Sequence, residues 1–325
     1  MSSLDTIQQF FADYQDGRYF NGLVNTPTPH RLREAPCLSY HVSKSHLAPR
    51  FSIVTPTFNC ASTIQAYIEA TARAVSLPFD WILVDDGSED GTPEHARDAL
   101  EALVCPLLGR ATIVRNPVPV YETACDNIGF RLAETDLIIE IQSDIHVLEP
   151  GFDALIIEAL ELHPRPAAVS GRCGHSFLAL RGPLARALFG LGRNDGVGLY
   201  GTRIDTPDLV EPLRGHRFRC ETVPRGPWAL RKSDLQRFGS LDERSFFLGN
   251  DDHDFHRRVY AAEGRRPVYV PMRLYAPLNA GAARRPRTGV NAEIFRMLKH
   301  EKRGSPAFHR FLSAQRRLAQ PEEIT

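Results

Sequence analysis

What the 325-residue chain lacks already narrows its class. No uninterrupted apolar run approaches the roughly 20 residues needed to span a bilayer, and residues 1–9 lack the basic and apolar regions of a signal peptide. A soluble, cytoplasmic protein is the expectation. The six cysteines (Cys37, Cys60, Cys105, Cys125, Cys173, Cys220) contain no Cys-x-x-Cys pair, which argues against a zinc knuckle or a redox motif and for reduced, mostly buried thiols. Lys and Arg (39) balance Asp and Glu (39), so no overall field draws the chain to nucleic acid or a membrane. No G-x-G-x-x-G follows a strand and no G-x-x-x-x-G-K-[ST] occurs, so neither a dinucleotide fingerprint nor a P-loop is present. Internal repeats and low-complexity runs are absent too.

What is present is an alternation of strand and helix signals. Strands are expected at Phe51–Val54, Trp81–Val84, Ala111–Arg115 and Leu137–Ile141. Helices are expected at Ser62–Val75, from a Thr92 cap with Pro93 in first position through Leu103, at Thr123–Ala133 and at Phe152–Leu162. Such alternation predicts a single doubly wound, mostly parallel α/β sheet with helices on both faces. Ahead of it, Asp5–Asp16 has the apolar spacing of one helix, and Asn21–Pro49 reads as an irregular connector whose His30, His41 and His46 lie at the surface. Arg181–Leu213, rich in Gly, Arg and Pro, reads as an excursion able to cover a site. Glu221–Leu230 has the look of an edge strand with a turn, and Trp228 either fills the core or stacks on a sugar. The C-terminal segment 284–317 holds ten basic residues against two acids, a local basic patch on a neutral body.

Three stretches carry chemistry. Leu137–Phe152 runs from a buried strand into Asp144 and His146, and in extended backbone that spacing would turn a carboxylate and an imidazole to one side, where they can share a divalent cation. The other reading of Asp144 is a turn former. Asp85 and Asp86 end the second strand beside a Gly-rich turn, as acids that bind ribose or base do, or as loop caps. Asp251, Asp252 and Asp254 crowd three carboxylates into four positions. Either a charged partner or a raised pKa must relieve them, the usual making of a general base, and the helix N-terminus they open favours acids in any case.

Four segments taken in order, Ser52-Ile53-Val54-Thr55-Pro56-Thr57-Phe58-Asn59, Val84-Asp85-Asp86-Gly87-Ser88, Ser143-Asp144-Ile145-His146 and Asn250-Asp251-Asp252-His253-Asp254, resemble the family-2 glycosyltransferases of the GT-A fold over about Arg50–Pro271. The resemblance implies that Pro56, Thr57 and Asn59 with Asp85 and Asp86 hold the nucleoside of a nucleotide-sugar, with Asn127 in a matching Ala-x-x-Asn-x-Gly segment. It implies that Asp144 and His146 form a D-x-H variant of the D-x-D motif binding Mn²⁺ or Mg²⁺ at the diphosphate, and that Asp252 is the general base, with Asp251 in place of Glu. Asp126 stands where a basic residue is common, and no further His occurs in 270–279.

The chain then divides into residues 1–49 (N-terminal helix and connector), 50–275 (GT-A domain, with a nucleotide-sugar half 50–147 and an acceptor half 148–275) and the basic extension 276–325. The expected function is metal-dependent, inverting sugar transfer to a glycan, lipid-linked or protein acceptor, with peripheral contact to an anionic surface through 284–317. Alternatives are an inactive nucleotide-sugar-binding module, a sugar nucleotidyltransferase and a retaining GT-A transferase.

Overall fold

Phe51-Ser52-Ile53-Val54 and Phe79-Asp80-Trp81-Ile82-Leu83-Val84 are short runs rich in branched and aromatic residues, buried on both sides as parallel strands require. In the computed structural model, which describes residues 40–116, 119–175, 198–201, 215–243, 246–276, 289–306, 309 and 322–324, they form β2 (Phe51–Thr57) and β3 (Phe79–Asp85). With β1 (Tyr40–Ser43), β4 (Leu108–Arg115), β5 (Leu137–Glu140), β7 (Val169–Ser170), β10 (Arg217–Arg219), β11 (Trp228–Arg231), β12 (Val268–Tyr269) and β14 (Glu322–Ile324) they build one sheet of order β1-β4-β3-β2-β5-β11-β7-β12-β10-β14. Strands β4, β3, β2 and β5 run parallel to their neighbours in that group, as do β7 and β12, and the other pairs of the sheet are antiparallel. Two ribbons, β6 (His146–Val147) with β13 (Leu274–Tyr275) and β8 (Cys173–His175) with β9 (Gly198–Gly201), stand beside it.

Successive strand residues face opposite sides and join two separate cores. Phe51, Ile53, Trp81, Leu83 and Ile139 pack with α1 (Ile64–Ala74), α2 (Thr92–Ala102) and α4 (Phe152–Leu160). Val54, Ile82, Val84, Ile138 and Trp228 pack with α3 (Glu122–Leu132), α5 (Lys232–Phe238) and α6 (Asp251–Glu263). The expected α/β sheet with helices on both faces is therefore present. A buried polar chain pins the first core to the strand ends: Trp81 Nε1 donates to Thr55 Oγ1 (3.1 Å), Thr55 bonds the Tyr67 hydroxyl (2.7 Å), and that hydroxyl donates to the Ile141 carbonyl (3.1 Å).

Four local expectations change. The connector 21–49 supplies an edge strand, since Tyr40–Ser43 pairs antiparallel with β4, so the sheet begins before Arg50; His41 and His46 are exposed as expected. Glu221–Leu230 is not an edge: β11 lies between β5 and β7 in mid-sheet, where Trp228 is fully buried in the core, because a strand flanked on both sides must bury both faces. Thr55-Pro56-Thr57 continues β2 instead of forming a loop, with Pro56 beside Val84. Helix α2 is preceded by Gly91 at φ 85°, and Thr92 is its first helical residue, its hydroxyl donating to Asp90 (2.6 Å). The Asp5–Asp16 helix and most of the 181–213 excursion lie outside the described residues. Among the described cysteines, Cys60, Cys105, Cys125 and Cys220 are free thiols, the last two buried. No helix among the described residues is long and apolar enough to cross a membrane.

Helix α3 comes so close to β2 that a Cβ on Gly129 would lie 2.3 Å from Val54 Cγ1. Gly129→Ala should therefore cost about 2 kcal/mol of unfolding free energy through overpacking, and Val54→Ala in the same chain should recover part of it. Urea unfolding of the two single variants and the double variant checks this; additive losses would remove the contact as the cause.

Candidate active site

The parallel register of β2 and β3 sets Thr57 opposite Asp85 at the carboxyl ends of the strands, where open α/β sheets bind ligands. Asp85 is fully buried and accepts from Thr57 Oγ1 (3.3 Å), Ser88 Oγ (2.5 Å) and the Ser88 N–H (2.9 Å), closing the Asp-Asp-Gly-Ser turn. Asn59, at φ 46°, ties the two loops together: its N–H donates to Ser88 Oγ (2.8 Å) and its Oδ1 accepts from the Glu89 N–H (3.0 Å). Asp86 accepts from the main-chain N–H groups of Val120 (2.7 Å) and Tyr121 (2.9 Å) and from Asn116 Nδ2 (3.3 Å), and burial pushes its pKa up to about 6. Protein donors thus engage Asp85 and Asp86, and Pro56 lies half-buried at the rim.

Strand β5 leads into a turn closed by the Ile145 N–H to the Gln142 carbonyl (3.0 Å). Asp144 lies within that turn, so the extended-backbone argument for placing it on one side with His146 does not hold. His146 starts β6 directly across from Tyr275 on β13, and its ring meets the edges of Tyr67 and Tyr275, each at 6.3 Å between centroids. Burial lowers the His146 pKa and the charge of Asp144 opposes the shift, which leaves a neutral imidazole at neutral pH, the form that ligates a cation. Among the described residues no group of three His, Cys, Asp or Glu could hold a metal ion. The donor set therefore fits a divalent cation only in part, as one carboxylate and one imidazole, with remaining ligands needed from a diphosphate.

The acid cluster is built around a residue that its sequence neighbourhood does not single out. Arg225 is 3 % exposed, and its guanidinium pairs with Asp126, with Asp251 (3.0 Å) and with Glu122 (3.2 Å). Glu122 and Asp126 lie one turn apart on α3, so an acid where a basic residue is common is matched by an arginine from the turn before β11. The Arg225 main-chain N–H donates to Asp252 Oδ2 (3.1 Å), whose other oxygen accepts from the His253 N–H (2.7 Å). Burial raises Asp252 and pushes Asp251 up to about 7, with Arg225 opposing both shifts. Burial, then the charges of Arg225 and Arg257, lowers His253 to about 3, so its ring is neutral. Glu140, at the end of β5, is fully buried with neither carboxylate oxygen hydrogen-bonded; burial, then the charge of Asp126, raises its pKa well above the ordinary carboxylate value.

The loops abut. A Cβ on Gly226, at φ 76°, would lie 2.5 Å from Ile145 Cδ1 and 3.5 Å from Gln142 Oε1, so the turn carrying Arg225 is pressed against the turn carrying Asp144. Gln142 also donates to Glu122. Asp254 pairs with Arg258 one helical turn on (2.9 Å). Asn127 faces away from these loops: it bonds the Leu241 carbonyl (2.9 Å), the Leu241 N–H (3.1 Å) and Glu243 (2.6 Å), and so fastens α3 to the 241–243 loop. From the basic segment, α7 (Gly289–Gly304) sets Phe295 against Tyr121 and Phe247 and Lys302 over Phe246 and Phe247.

Residues 52–186 match the family model described as glycosyl transferase family 2. This segment is similar to glycosyl transferase family 2. Similar proteins include a PGL/p-HBAD biosynthesis glycosyltransferase of Mycobacterium tuberculosis, 32 % identical over 104 residues (31 % of this chain, 38 % of that protein). A second is the undecaprenyl-phosphate 4-deoxy-4-formamido-L-arabinose transferase of Aeromonas hydrophila, 32 % identical over 97 residues (29 % and 28 %). The chain thus spans less than two-fifths of the length of these relatives. Among solved structures, the mannosyltransferase PcManGT from Pyrobaculum calidifontis in complex with GDP-Man and Mn²⁺ superposes with a TM-score of 0.51 at 17 % identity, covering 88 % of this chain and 79 % of that one, a likeness of fold.

Glu243 carries a pH signature. Burial pushes its pKa up to about 8, against an ordinary value of 4.5. A carboxyl raised in the folded state binds protons preferentially there, so its stabilising contribution is present below the unfolded value and is lost as pH rises through the folded one. Glu243→Gln, which keeps an acceptor for Asn127, should gain stability relative to the parent chain between about pH 5 and about pH 9 in urea unfolding. A difference independent of pH would show that Glu243 titrates normally.

Proposed function

We propose that the chain transfers a sugar from a nucleotide-sugar donor to an acceptor hydroxyl, with a divalent cation, Mn²⁺ or Mg²⁺, and with inversion at the anomeric carbon. The observation that carries the reading is the contact of the Arg225-Gly226 turn with the Gln142–Ile145 turn, because it sets a buried, oriented carboxylate beside the loop that bears Asp144 and His146. The likeness of residues 52–186 to the glycosyl transferase family 2 model supports the reaction class.

In this reading Pro56, Thr57 and Asn59 with the Asp85-Asp86 turn form the nucleoside side of the site, with both carboxylates bracing the loops that meet the base and ribose. Asp144 and His146 would hold the cation as a D-x-H pair, and when bound it supplies the positive charge that offsets the departing diphosphate. Asp252 takes the proton from the acceptor hydroxyl as that oxygen attacks. Two main-chain N–H groups orient this carboxylate without consuming all its acceptor capacity, and burial raises its proton affinity towards that of a working base. Asp251, held by Arg225 and by Thr123 Oγ1 (2.9 Å), steadies the neighbouring residue. Attack by a base-activated acceptor in line with the leaving diphosphate inverts the sugar carbon.

The full-length chain should release nucleoside diphosphate from one of a panel of UDP-, GDP-, dTDP- and CMP-sugars with Mn²⁺, and lose both turnover and tight donor binding in excess chelator. Asp252→Asn should retain calorimetric donor affinity while turnover falls by a factor on the order of 10² to 10⁴, the range for loss of a general base. A chain that binds donors but never releases diphosphate would be a binding module instead, and chelator-independent affinity would remove the cation from Asp144 and His146.

The protein is read as cytoplasmic, with the basic face of 284–317 turned to an anionic surface while Phe295 docks the segment on the fold. Co-sedimentation of the full-length chain with phosphatidylserine vesicles should be clear at low salt and lost near 1 M, where the Debye length is about 3 Å. Absence of binding at low salt would leave the segment as packing alone.

A further inference from the structure

We propose that Arg225 is the positioning residue for Asp252: three carboxylates lock its side chain, and the lock fixes the main-chain N–H that orients the Asp252 carboxylate. The inference rests on the sugar-transfer reading for what Asp252 does, and on geometry for how it is held. The guanidinium contacts carboxylates from two helices, Glu122 and Asp126 on α3 and Asp251 on α6, so its fork is satisfied from several directions at once. A side chain anchored in this way cannot rotate without exposing several buried charges to an apolar surrounding. Its own peptide N–H is 3.1 Å from Asp252 Oδ2, and the next residue, Gly226, fits only because it has no side chain where Ile145 presses. Charge, backbone direction and the Asp144 turn are thereby coupled through one residue.

The charged and titratable groups facing Arg225 are Glu122 and Asp126 from α3, Glu140 from β5, and Asp251, Asp252 and His253 from α6. Asp251 also acts electrostatically on Lys302 of α7. Unpaired buried oxygens remain on Asp126, Glu140 and Asp251, so the cluster has little spare positive charge and depends on the guanidinium.

Lysine in place of Arg225 keeps the charge but offers a single head to three carboxylates. Arg225→Lys, and Arg225→Met combined with Asp126→Asn to ease the charge imbalance, should cut kcat for diphosphate release from UDP-glucose or GDP-mannose with Mn²⁺ by a factor of about 10 or more, with KM for the donor within about twofold. Hydrogen exchange at the residue-225 main-chain N–H, which every variant retains, should quicken by about tenfold or more in both, and equally in Asp252→Ala with the arginine in place. Folded variants with parental kcat overturn the proposal. So does unchanged protection of the residue-225 N–H in Asp252→Ala, a result that stands even if the Arg225 variants fail to fold. A parental chain that releases no diphosphate from any donor sinks the sugar-transfer reading, while the exchange measurement still decides whether Arg225 and Asp252 hold one another.

Discussion

The ion pairs of Arg225 with Glu122, Asp126 and Asp251 are the constraint on which the carboxyl-terminal side of the sheet depends. One buried cation faces several acids, and no arrangement of those acids is tolerable in a low-dielectric interior without it or without protons. The fold uses both devices. The guanidinium neutralises the acids it touches, and burial raises the proton affinity of Glu140, which it does not hydrogen-bond. The cluster joins α3, the end of β5, the turn before β11 and the first turn of α6, so the half of the sheet that carries the Asp85-Asp86 turn is fastened to the half that carries Asp252.

Around that anchor the loops are placed by close backbone approach as much as by side-chain contact. Gly129 lets α3 settle onto Val54, and Gly226 lets the Arg225 turn settle onto Ile145. The Trp81–Thr55–Tyr67–Ile141 chain holds the opposite side of the same strand ends, and the Tyr67 ring then supports His146. Satisfied polar networks of this kind define a single arrangement, because any slip leaves a buried donor or acceptor unpaired. The C-terminal helix adds a wall by setting Phe295 on Tyr121 and Phe247, next to the residues whose N–H groups hold Asp86.

The local code made much of this legible. Apolar, branched runs of four or five residues marked β2, β3, β4 and β5 because such runs suit strands buried on both faces. Helical spacing marked α1, α3 and α4 to within two residues. The crowding of Asp251, Asp252 and Asp254 implied a charged partner or a raised pKa, and both are found. The strand Trp228–Arg231 was readable as a strand but not as a central one, since its neighbours β5 and β7 lie tens of residues away along the chain.

Sequence by itself determined the central strands β2–β5, the helices α1, α3 and α4, and which loops bear acids, because propensity, periodicity and turn chemistry act over a few residues. Tertiary structure alone decided that Asp126 is answered by Arg225, ninety-nine positions on, that Asn127 braces the 241–243 loop, that Asp144 sits in a turn and not in an extended strand, and that Tyr275 lies across from His146. Each of these is a meeting of distant segments, and what selects it is the cost of leaving a buried charge or hydrogen-bonding group without a partner, a quantity that exists only once the chain has closed around it.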